Sequence, residues 1–440
     1  MSRKADPAPF KARVLDLAHD GRGVAKLDGK TVFIADALPG ELVMASRVSR
    51  RRGHDDAVLV DVLEPAAERV SPKCPHFGTC GGCSLQHLAP EAQLAAKADS
   101  LHDSLQRLGH VVAESRWAAI PGPSWGYRRR ARLGVRKVDK KGRVLVGFRE
   151  RRAPLVADMD SCEVLAGRIG AMIPALSELI GALSIARRVP QVEVAVGDDR
   201  SVLALRVLDP PTPADLVRLD RFGTEHGVDI WLQPGGLETL RPLREDTPWP
   251  TYRLEEFDLS FAFLPSDFVQ INAAVNAKAA ARAIELLAVT PGDRIVDLFC
   301  GLGNFSLALA RRGARVRGVE GDAGLVERAR DNARRNELEV AFHVANLFED
   351  CRGLPWAQEC CEALLLDPPR AGAEESIHLV PVLGPQRIVY VSCHTGTLAR
   401  DAGILVNEFG YRLSGAGVMD MFPHTAHVES IALFERGGRP

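Results

Sequence analysis

Three groups of residues in this chain have the types and spacing to do chemistry. The first centres on a thiol. The apolar run 387–392 ends abruptly at Cys393, which is followed by His394, Thr395 and Gly396. A thiolate at such a strand end can act as a covalent nucleophile, adding to an electron-poor ring carbon so that the neighbouring carbon can accept an electrophile. A proton must then leave that carbon before the thiol can be eliminated, so a general base is required. In "MDMFPHTAHVESIALFER" the acid nearest the start of the last strand is Glu429. Position alone leaves both residues open, since a strand-end cysteine also reads as a core thiol and Glu429 as a solvated edge carboxylate.

The second group surrounds "RIVDLFCGLGNFSLALA", a buried strand, a glycine turn and an amphipathic helix. Gly301 and Gly303 allow the backbone to approach a ligand at the helix N-terminus, the entry of a nucleotide-type site. Glu320 ends the next strand, where a carboxylate can hold two ribose hydroxyls, so a dinucleotide dehydrogenase is one reading. Against it, "GLGNFS" lacks the third glycine that a pyrophosphate turn requires. Asp297 before the turn suits a cationic ligand instead, such as the amino and sulfonium groups of S-adenosylmethionine. Asp367 in "LLLDPPR" and Asn346 fall at neighbouring strand ends, where open α/β sheets bind ligands.

The third group is Cys74, Cys80 and Cys83 in a C-x5-C-x2-C pattern, with Cys162 as the one other cysteine before the C-terminal region. Three thiols within ten residues, interleaved with Gly78, Gly81 and Gly82, can wrap one metal centre. Spacing does not distinguish zinc from an iron-sulfur cubane.

These groups need elements to position them. From about residue 265 strands alternate with helices: strands over 294–300, 315–320, 340–346, 363–367 and 387–393, with helices between and after. That rhythm predicts a doubly wound parallel sheet. Strands over 412–419 and 428–434 follow without a helix, so they should form a hairpin at the sheet edge. Residues 10–65 read as a small β-barrel, with strands over 24–27, 31–34, 41–48 and 57–63. Arg47, Arg50, Arg51 and Arg52 fall in the loop between its last two strands. A helix over 90–109 carries a stripe of Leu94, Leu101, Leu105 and Leu108.

The net charge of the 440 residues is only −1, yet residues 128–152 hold twelve Lys or Arg against Asp139 and Glu150. Their alternation about the turn at 139–142 predicts a two-stranded ribbon with one cationic face, a platform for nucleic-acid phosphates. Length predicts about three domains of about 150 residues each. No stretch approaches the roughly 18 uninterrupted apolar residues of a membrane span, and residues 1–7 lead into no signal-like core. Nine cysteines, an odd number in a long chain, argue against a disulfide framework. The expectation is a cytoplasmic protein.

Taken together, "DFVQIN", "DLFCGLGNF", "GVE", "LLLDPPRAGA", "VYVSC" with "TLARD", and "DMFPHTAHVES" resemble the RNA uracil-C5 methyltransferases. Upstream, "DGRGVAKLDGKTVFIADALPGE" is similar to their TRAM domain, an RNA-binding OB-like barrel, and "CPHFGTCGGCSLQH" to their iron-sulfur motif. Within the family, the likeness is strongest to the branch acting on uracil-1939 of 23S ribosomal RNA. The resemblance spans nearly the whole chain. It implies a barrel over 1–68, a central α+β iron-sulfur domain over 69–264, and a Rossmann-like class I methyltransferase domain over 265–440.

The same resemblance implies roles residue by residue. Cys393 becomes the nucleophile and Glu429 the base that removes the C5 proton. S-adenosyl-L-methionine contacts fall to Gln270, Phe299, Asn304, Glu320, Asn346 and Asp367, with Asp297 a neighbouring support. Cys74, Cys80, Cys83 and Cys162 become ligands of a [4Fe-4S] cluster that holds the basic ribbon and does no redox chemistry. The partner implied is 23S ribosomal RNA, with no membrane and no obligate protein partner, and the chain is expected to act as a monomer. Phe268 is a candidate to stack on a flipped uracil, or else a core aromatic.

One departure stands out: the family's Asn-Pro after the nucleophile is replaced by His394-Thr395, which puts the catalytic turn's geometry in question. His394 could hydrogen-bond a neighbour or favour the thiolate. Among other reaction classes, a radical methylthiotransferase would space its cysteines C-x3-C-x2-C. An amino methyltransferase would carry an aromatic where Arg370 stands, and neither explains Cys393 and Glu429. An RNA-binding factor with a retired catalytic domain would have no need of either residue.

Overall fold

The structure, a computed structural model, describes residues 8–437, so the reading of residues 1–7 lies outside it. Five strands come first: β1 (Phe10–Leu17), β2 (Gly23–Leu27), β3 (Lys30–Ala35), β4 (Leu42–Arg50) and β5 (His54–Glu64). They close into a barrel in the order β1-β2-β3-β5-β4. Alternation puts Val14, Ala25, Val32, Ile34, Val43 and Ala45 inside. Arg47 and Arg50 lie on β4, not in the expected loop. Arg47 pairs with Asp55 at 3.1 Å and Arg51 with Asp56 at 3.2 Å, so that part of the cluster is neutralised within the barrel.

Next come α1 (Pro90–Arg107), β6 (Arg130–Val138), β7 (Arg143–Gly147), α2 (Ile173–Gly181), β8 (Gln191–Val196), β9 (Ser201–Arg206), α3 (Pro213–His226), β10 (Asp229–Gln233) and β11 (Arg241–Pro242). The strands form a six-stranded sheet in the order β11-β10-β9-β8-β6-β7, which the sequence did not announce. β6 and β7 make the expected hairpin, its turn closed by Gly142 at φ +66°. It is not a free ribbon, however. The other edge of β6 pairs with β8, where Glu193 stands opposite Arg132 and takes both Arg132 at 2.8 Å and Arg130 at 3.3 Å. That face is therefore less cationic than composition implied.

The C-terminal part runs β12 (Thr251–Leu254), β13 (Leu259–Ala262), α4 (Ala273–Leu287), β14 (Arg294–Leu298), α5 (Asn304–Arg311), β15 (Arg315–Glu320), α6 (Ala323–Arg335), β16 (Ala341–Val344), β17 (Ala363–Leu366), α7 (Val380–Leu383), β18 (Arg387–Ser392), α8 (Thr395–Asn407), β19 (Tyr411–Met419) and β20 (Glu429–Arg436). The main sheet is ordered β16-β15-β14-β17-β18-β20-β19. Its first five strands are parallel, and β20 joins β18 antiparallel with β19 outside it. This is the doubly wound Rossmann-like architecture with the terminal hairpin. Asn332 inside α6 and Asn336 just after its end bond the backbone of β13 at Ala262 and Ser260, which explains a buried amide inside the helix.

The segment 90–120, grouped with the central region by sequence, lies on this last sheet. α1 packs on α8 and β19. Glu114, Trp117 and Ile120 donate backbone hydrogen bonds to Leu413, Ala416 and Val418, covering the outer edge of β19. Leu101 and Leu105 are buried as expected, but Leu108 is 62% exposed, and Gln93, Lys97 and His102 complete the buried face. Among the described residues no helix is long and apolar enough to cross a membrane.

The α1–α8 contact is close enough to need glycine. A Cβ at Gly109 would stand 2.3 Å from the carbonyl oxygen of Ala399. Gly109→Ala is expected to lower unfolding stability by about 1–3 kcal/mol, measured by denaturant titration.

Candidate active site

The C-terminal ends of the parallel strands open on a cavity of about 510 Å³. All eight residues assigned by resemblance to cofactor or catalysis line it: Gln270, Phe299, Asn304, Glu320, Asn346, Asp367, Cys393 and Glu429. The glycine turn forms one wall. Phe299, Gly301 and Gly303 all have positive φ (+65°, +53° and +87°), so the chain turns sharply between β14 and α5. Phe299 is not glycine, and its presence in that conformation marks local strain at the cavity wall.

Glu320 is oriented by its own backbone surroundings. Its Oε2 accepts from the N–H of Gly301 at 3.1 Å, and its Oε1 from those of Gly321 and Asp322 at 2.7 and 3.0 Å. Asn304 is held by a reciprocal pair of amide bonds with Asn276 at 3.0 and 3.1 Å and by the Tyr252 hydroxyl at 3.1 Å. Asn346 shapes its own turn, donating to Glu349 at 2.7 Å and accepting from the Phe348 N–H at 3.2 Å. Asp297 lies beneath the floor, fully buried and bonded by Ser306 at 2.5 Å, outside the cavity lining. Burial pushes it up to about 7.

Cys393 and Glu429 meet because of register. Ser392 at the end of β18 pairs with Ser430 of β20, so the next residue on each strand, Cys393 and Glu429, project from adjoining strand ends. Glu429 is only 7% exposed, which corrects the solvated-edge alternative. Burial, then the nearby Asp367, raise it to about 8. Burial, then Asp297, raise Asp367 to about 7. Among the described residues neither the Glu429 nor the Asp367 carboxylate has a hydrogen-bond partner in the protein. A buried acid such as Glu429 without a partner, beside the half-buried Asp367, marks a place for a ligand.

Burial, then Glu429 and Asp367, push the Cys393 thiol up to about 11, and Arg370 acts in the opposite direction. Arg370 is thus a cation that favours this thiolate. His394 does the other task open to it. Its Nδ1 accepts from the Thr397 N–H at 3.2 Å, capping the N-terminus of α8. Burial, then Arg370 and His19, lower its pKa and keep that nitrogen an acceptor. Thr395 then occupies the first helical position, where proline would be tolerated. His394-Thr395 thus starts the helix in the way a capping Asn followed by Pro would.

Phe268 is 67% exposed on the cavity wall, which excludes the core reading. A separate cleft of about 840 Å³ lies between barrel, central sheet and the loop before β20, lined by Arg22, Arg128, Arg132, Arg149, Arg151 and His427 among others. Beside it, Cys74, Cys80, Cys83 and Cys162 line one small pocket. Burial foremost raises Cys80 to about 12 and Cys83 to about 11, so neither is set up as a free nucleophile. Among the described residues no group of three or more His, Cys, Asp or Glu side chains is arranged to hold a metal ion.

Comparison with known proteins bears on this geometry. Residues 250–437 match the tRNA (Uracil-5-)-methyltransferase family model. The chain is 51% identical to the 23S rRNA (uracil(1939)-C(5))-methyltransferase RlmD of Xanthomonas axonopodis pv. citri (strain 306), over 98% of each chain. It is 53% identical to the enzyme of that name from Aromatoleum aromaticum, over 97% of this chain and 99% of the relative. The chain belongs to the 23S rRNA (uracil(1939)-C(5))-methyltransferase family. In fold it is similar to the crystal structure of Pyrococcus abyssi tRNA (uracil-54, C5)-methyltransferase in complex with S-adenosyl-L-homocysteine. The TM-score is 0.75, with 26% identity over 96% of this chain and 99% of that one.

In this uracil-methyltransferase chain, sequence reasoning passed over Phe348, whose ring lies 5.8 Å from that of Phe299 on the cavity wall. Its position two residues after Asn346 was the available signal. Arg370 was weighed only as a missing aromatic, though its place after Asp-Pro-Pro put it on the rim. The division of labour between Arg370 and His394 is open to measurement. Arg370→Gln is expected to move the pH midpoint of Cys393 alkylation upward. His394→Ala should leave that midpoint in place while costing about 0.5–2 kcal/mol of stability, which His394→Asn restores.

Proposed function

We propose that the protein transfers a methyl group from S-adenosylmethionine to C5 of a uridine in 23S ribosomal RNA, of the uracil-1939 type, giving 5-methyluridine. The observation that carries this reading is the register that sets Cys393 beside Glu429 on one cavity with Asp367, in a chain matching RlmD enzymes along its whole length. Cytoplasmic action follows from the substrate. The working unit is the monomer, because one chain supplies cleft, cavity and both reacting side chains.

The residues present suit the cofactor. Glu320, with its carboxylate fixed by three N–H groups, can accept from ribose hydroxyls, while Phe299 and Phe348 offer apolar faces for a base. Gln270 makes no side-chain hydrogen bond to the described protein and is available to the ligand, and Asp367 offers a carboxylate to its polar end. When bound, S-adenosylmethionine supplies an electrophilic methyl group on a positively charged sulfur.

The chain's own residues do the rest. The cleft arginines take phosphates, and the target base leaves its stack to enter the cavity, with Phe268 on the wall to stack on it. The Cys393 thiolate adds to C6, forming an S–C6 bond and making C5 the nucleophile. After C5 has accepted the methyl group, Glu429 takes the C5 proton, the C5–C6 double bond re-forms and the S–C6 bond breaks. Arg370 favours the charged form of both thiol and acid and so offsets their mutual repulsion.

We read the barrel as the family's TRAM domain and the four cysteines as ligands of a [4Fe-4S] cluster. The four thiols line one small pocket, which supports a group bound by all four. Gly81 and Thr79 of the same loop exchange backbone hydrogen bonds with Arg149 and Arg151, at 2.8 and 2.9 Å, so a group bound there would brace the basic segment against the RNA.

Three measurements test the reading. With 5-fluorouridine RNA and S-adenosylmethionine, the wild-type protein should form a lasting covalent adduct that Cys393→Ala abolishes; Glu429→Gln should trap ordinary RNA after methylation. Glu429 must be unprotonated to accept the proton, so release of methylated RNA should rise with pH and level off above about 8. Anaerobically purified protein should contain iron and sulfide, and Cys162→Ser should lose them; colourless protein containing zinc would refute the cluster.

A further inference from the structure

The reaction requires Glu429 to be held against C5 while carrying a negative charge in a buried place, yet nothing on β20 bonds its carboxylate. The neighbourhood supplies a candidate from the far end of the chain. Lys97 on α1 is a buried lysine, its side chain 3% exposed. Its Nζ donates to Asp420 Oδ1 at 2.8 Å and to the carbonyl oxygen of Phe422 at 3.0 Å. Asp420 directly follows Met419, the cross-strand partner of Glu429. The lysine therefore grips the loop that leaves β19 and returns as β20 with the base at its head.

One turn earlier on the same helix face, Gln93 takes the next part of that loop, its Oε1 accepting from the His424 N–H at 2.8 Å. The opposite side of the loop is tied to residues just after Cys83, since the N–H groups of Ser84 and Leu85 both donate to the His424 carbonyl oxygen at 2.9 Å. Anchoring alone would not need a cation. A buried ammonium carries a large desolvation cost, and a neutral side chain could bond the carbonyl of Phe422 more cheaply.

We propose that Lys97 is a positioning residue for the base: through Asp420 and Phe422 it fixes the loop that presents Glu429, and its ammonium charge favours the carboxylate form of that acid. The groups facing Glu429 are Asp367 and Arg370 after β17, Cys393 at the end of β18, Asp420 at the end of β19, and Lys97; His427 lies on its own loop. Arg370 and Lys97 are the cations that oppose its burial. Arg370 is exposed to incoming RNA, whereas Lys97 is sealed beneath the loop, so its influence is present before and after substrate binds.

This inference rests on Glu429 being the base, and the test separates the two. Decay of the covalent RNA adduct is followed against pH in single turnovers for wild type, Lys97→Met, Lys97→Arg and Asp420→Asn, with Glu429→Gln as the stalled reference. Lys97→Met is expected to form adduct at the wild-type rate but to release it about tenfold more slowly at pH 7, the change made by a one-unit displacement of the profile to higher pH. Lys97→Arg should largely restore the profile. Asp420→Asn leaves the ammonium without its counter-ion and should displace the profile to lower pH, with KM for RNA unchanged in both cases.

A profile that stays in place in Lys97→Met and Asp420→Asn while rates fall uniformly would overturn the inference, as would equal loss of adduct formation and release. If Lys97→Met fails to fold, the displacement to lower pH expected of Asp420→Asn, against the unmoved profile expected of Lys97→Arg, still decides. Release by Glu429→Gln at the wild-type rate would remove the base assignment itself, whatever the Lys97 variants do.

Discussion

The antiparallel pairing of β18 with β20 is the constraint on which the site depends. Side chains in a strand alternate between faces, and a one-residue slip reverses them all. With Ser392 opposite Ser430, the thiol and the acid emerge together from adjoining strand ends. Shifted by one residue, Glu429 would point to the other side of the sheet. The pairing is secured by burial over its whole length, from Ile388 with Phe434 to Val391 with Ile431, in strands whose apolar residues are covered on both faces.

Burial at that spot makes the acids useful and also makes them costly. Asp367 and Glu429 share the low-dielectric end of the sheet with Cys393, and each raises the proton affinity of its neighbours. Arg370 from the rim and Lys97 from beneath oppose this. Proton affinity pushed toward neutrality suits a group that must both accept and give up a proton in each cycle. The same cavity leaves these acids without side-chain hydrogen bonds among the described residues, so their polar needs are open to ligand or water.

Two distant parts of the chain stabilise this arrangement. Segment 90–120 covers the outer edge of β19 and supplies the buried face of α1 to the loop before β20. The cysteine-bearing loop bonds that same loop through Ser84 and Leu85, and the basic segment through Thr79 and Gly81. The arginine-lined cleft and the loop before β20 are therefore braced by the same stretch of chain.

Strand, glycine turn and helix recur from residue 294 in a rhythm set by local physics, and so the parallel strands were legible to within a residue or two. The placement of Asp367, Glu320 and Cys393 on one rim followed, because parallel strands in such a sheet share a ligand-binding end. What stayed hidden depends on partners far along the chain. Alternating arginines in β6 read the same whether the neighbouring strand is solvent or β8, so only the tertiary structure revealed Glu193 against them. Likewise a lysine on a leucine-striped helix reads as solvated until that helix is packed under the loop from β19. The sequence by itself determined which groups could react and which sheet would carry them. The tertiary structure decided which charges face Glu429 and how His394 caps the catalytic turn, because burial and long-range pairing exist only once the chain has closed on itself.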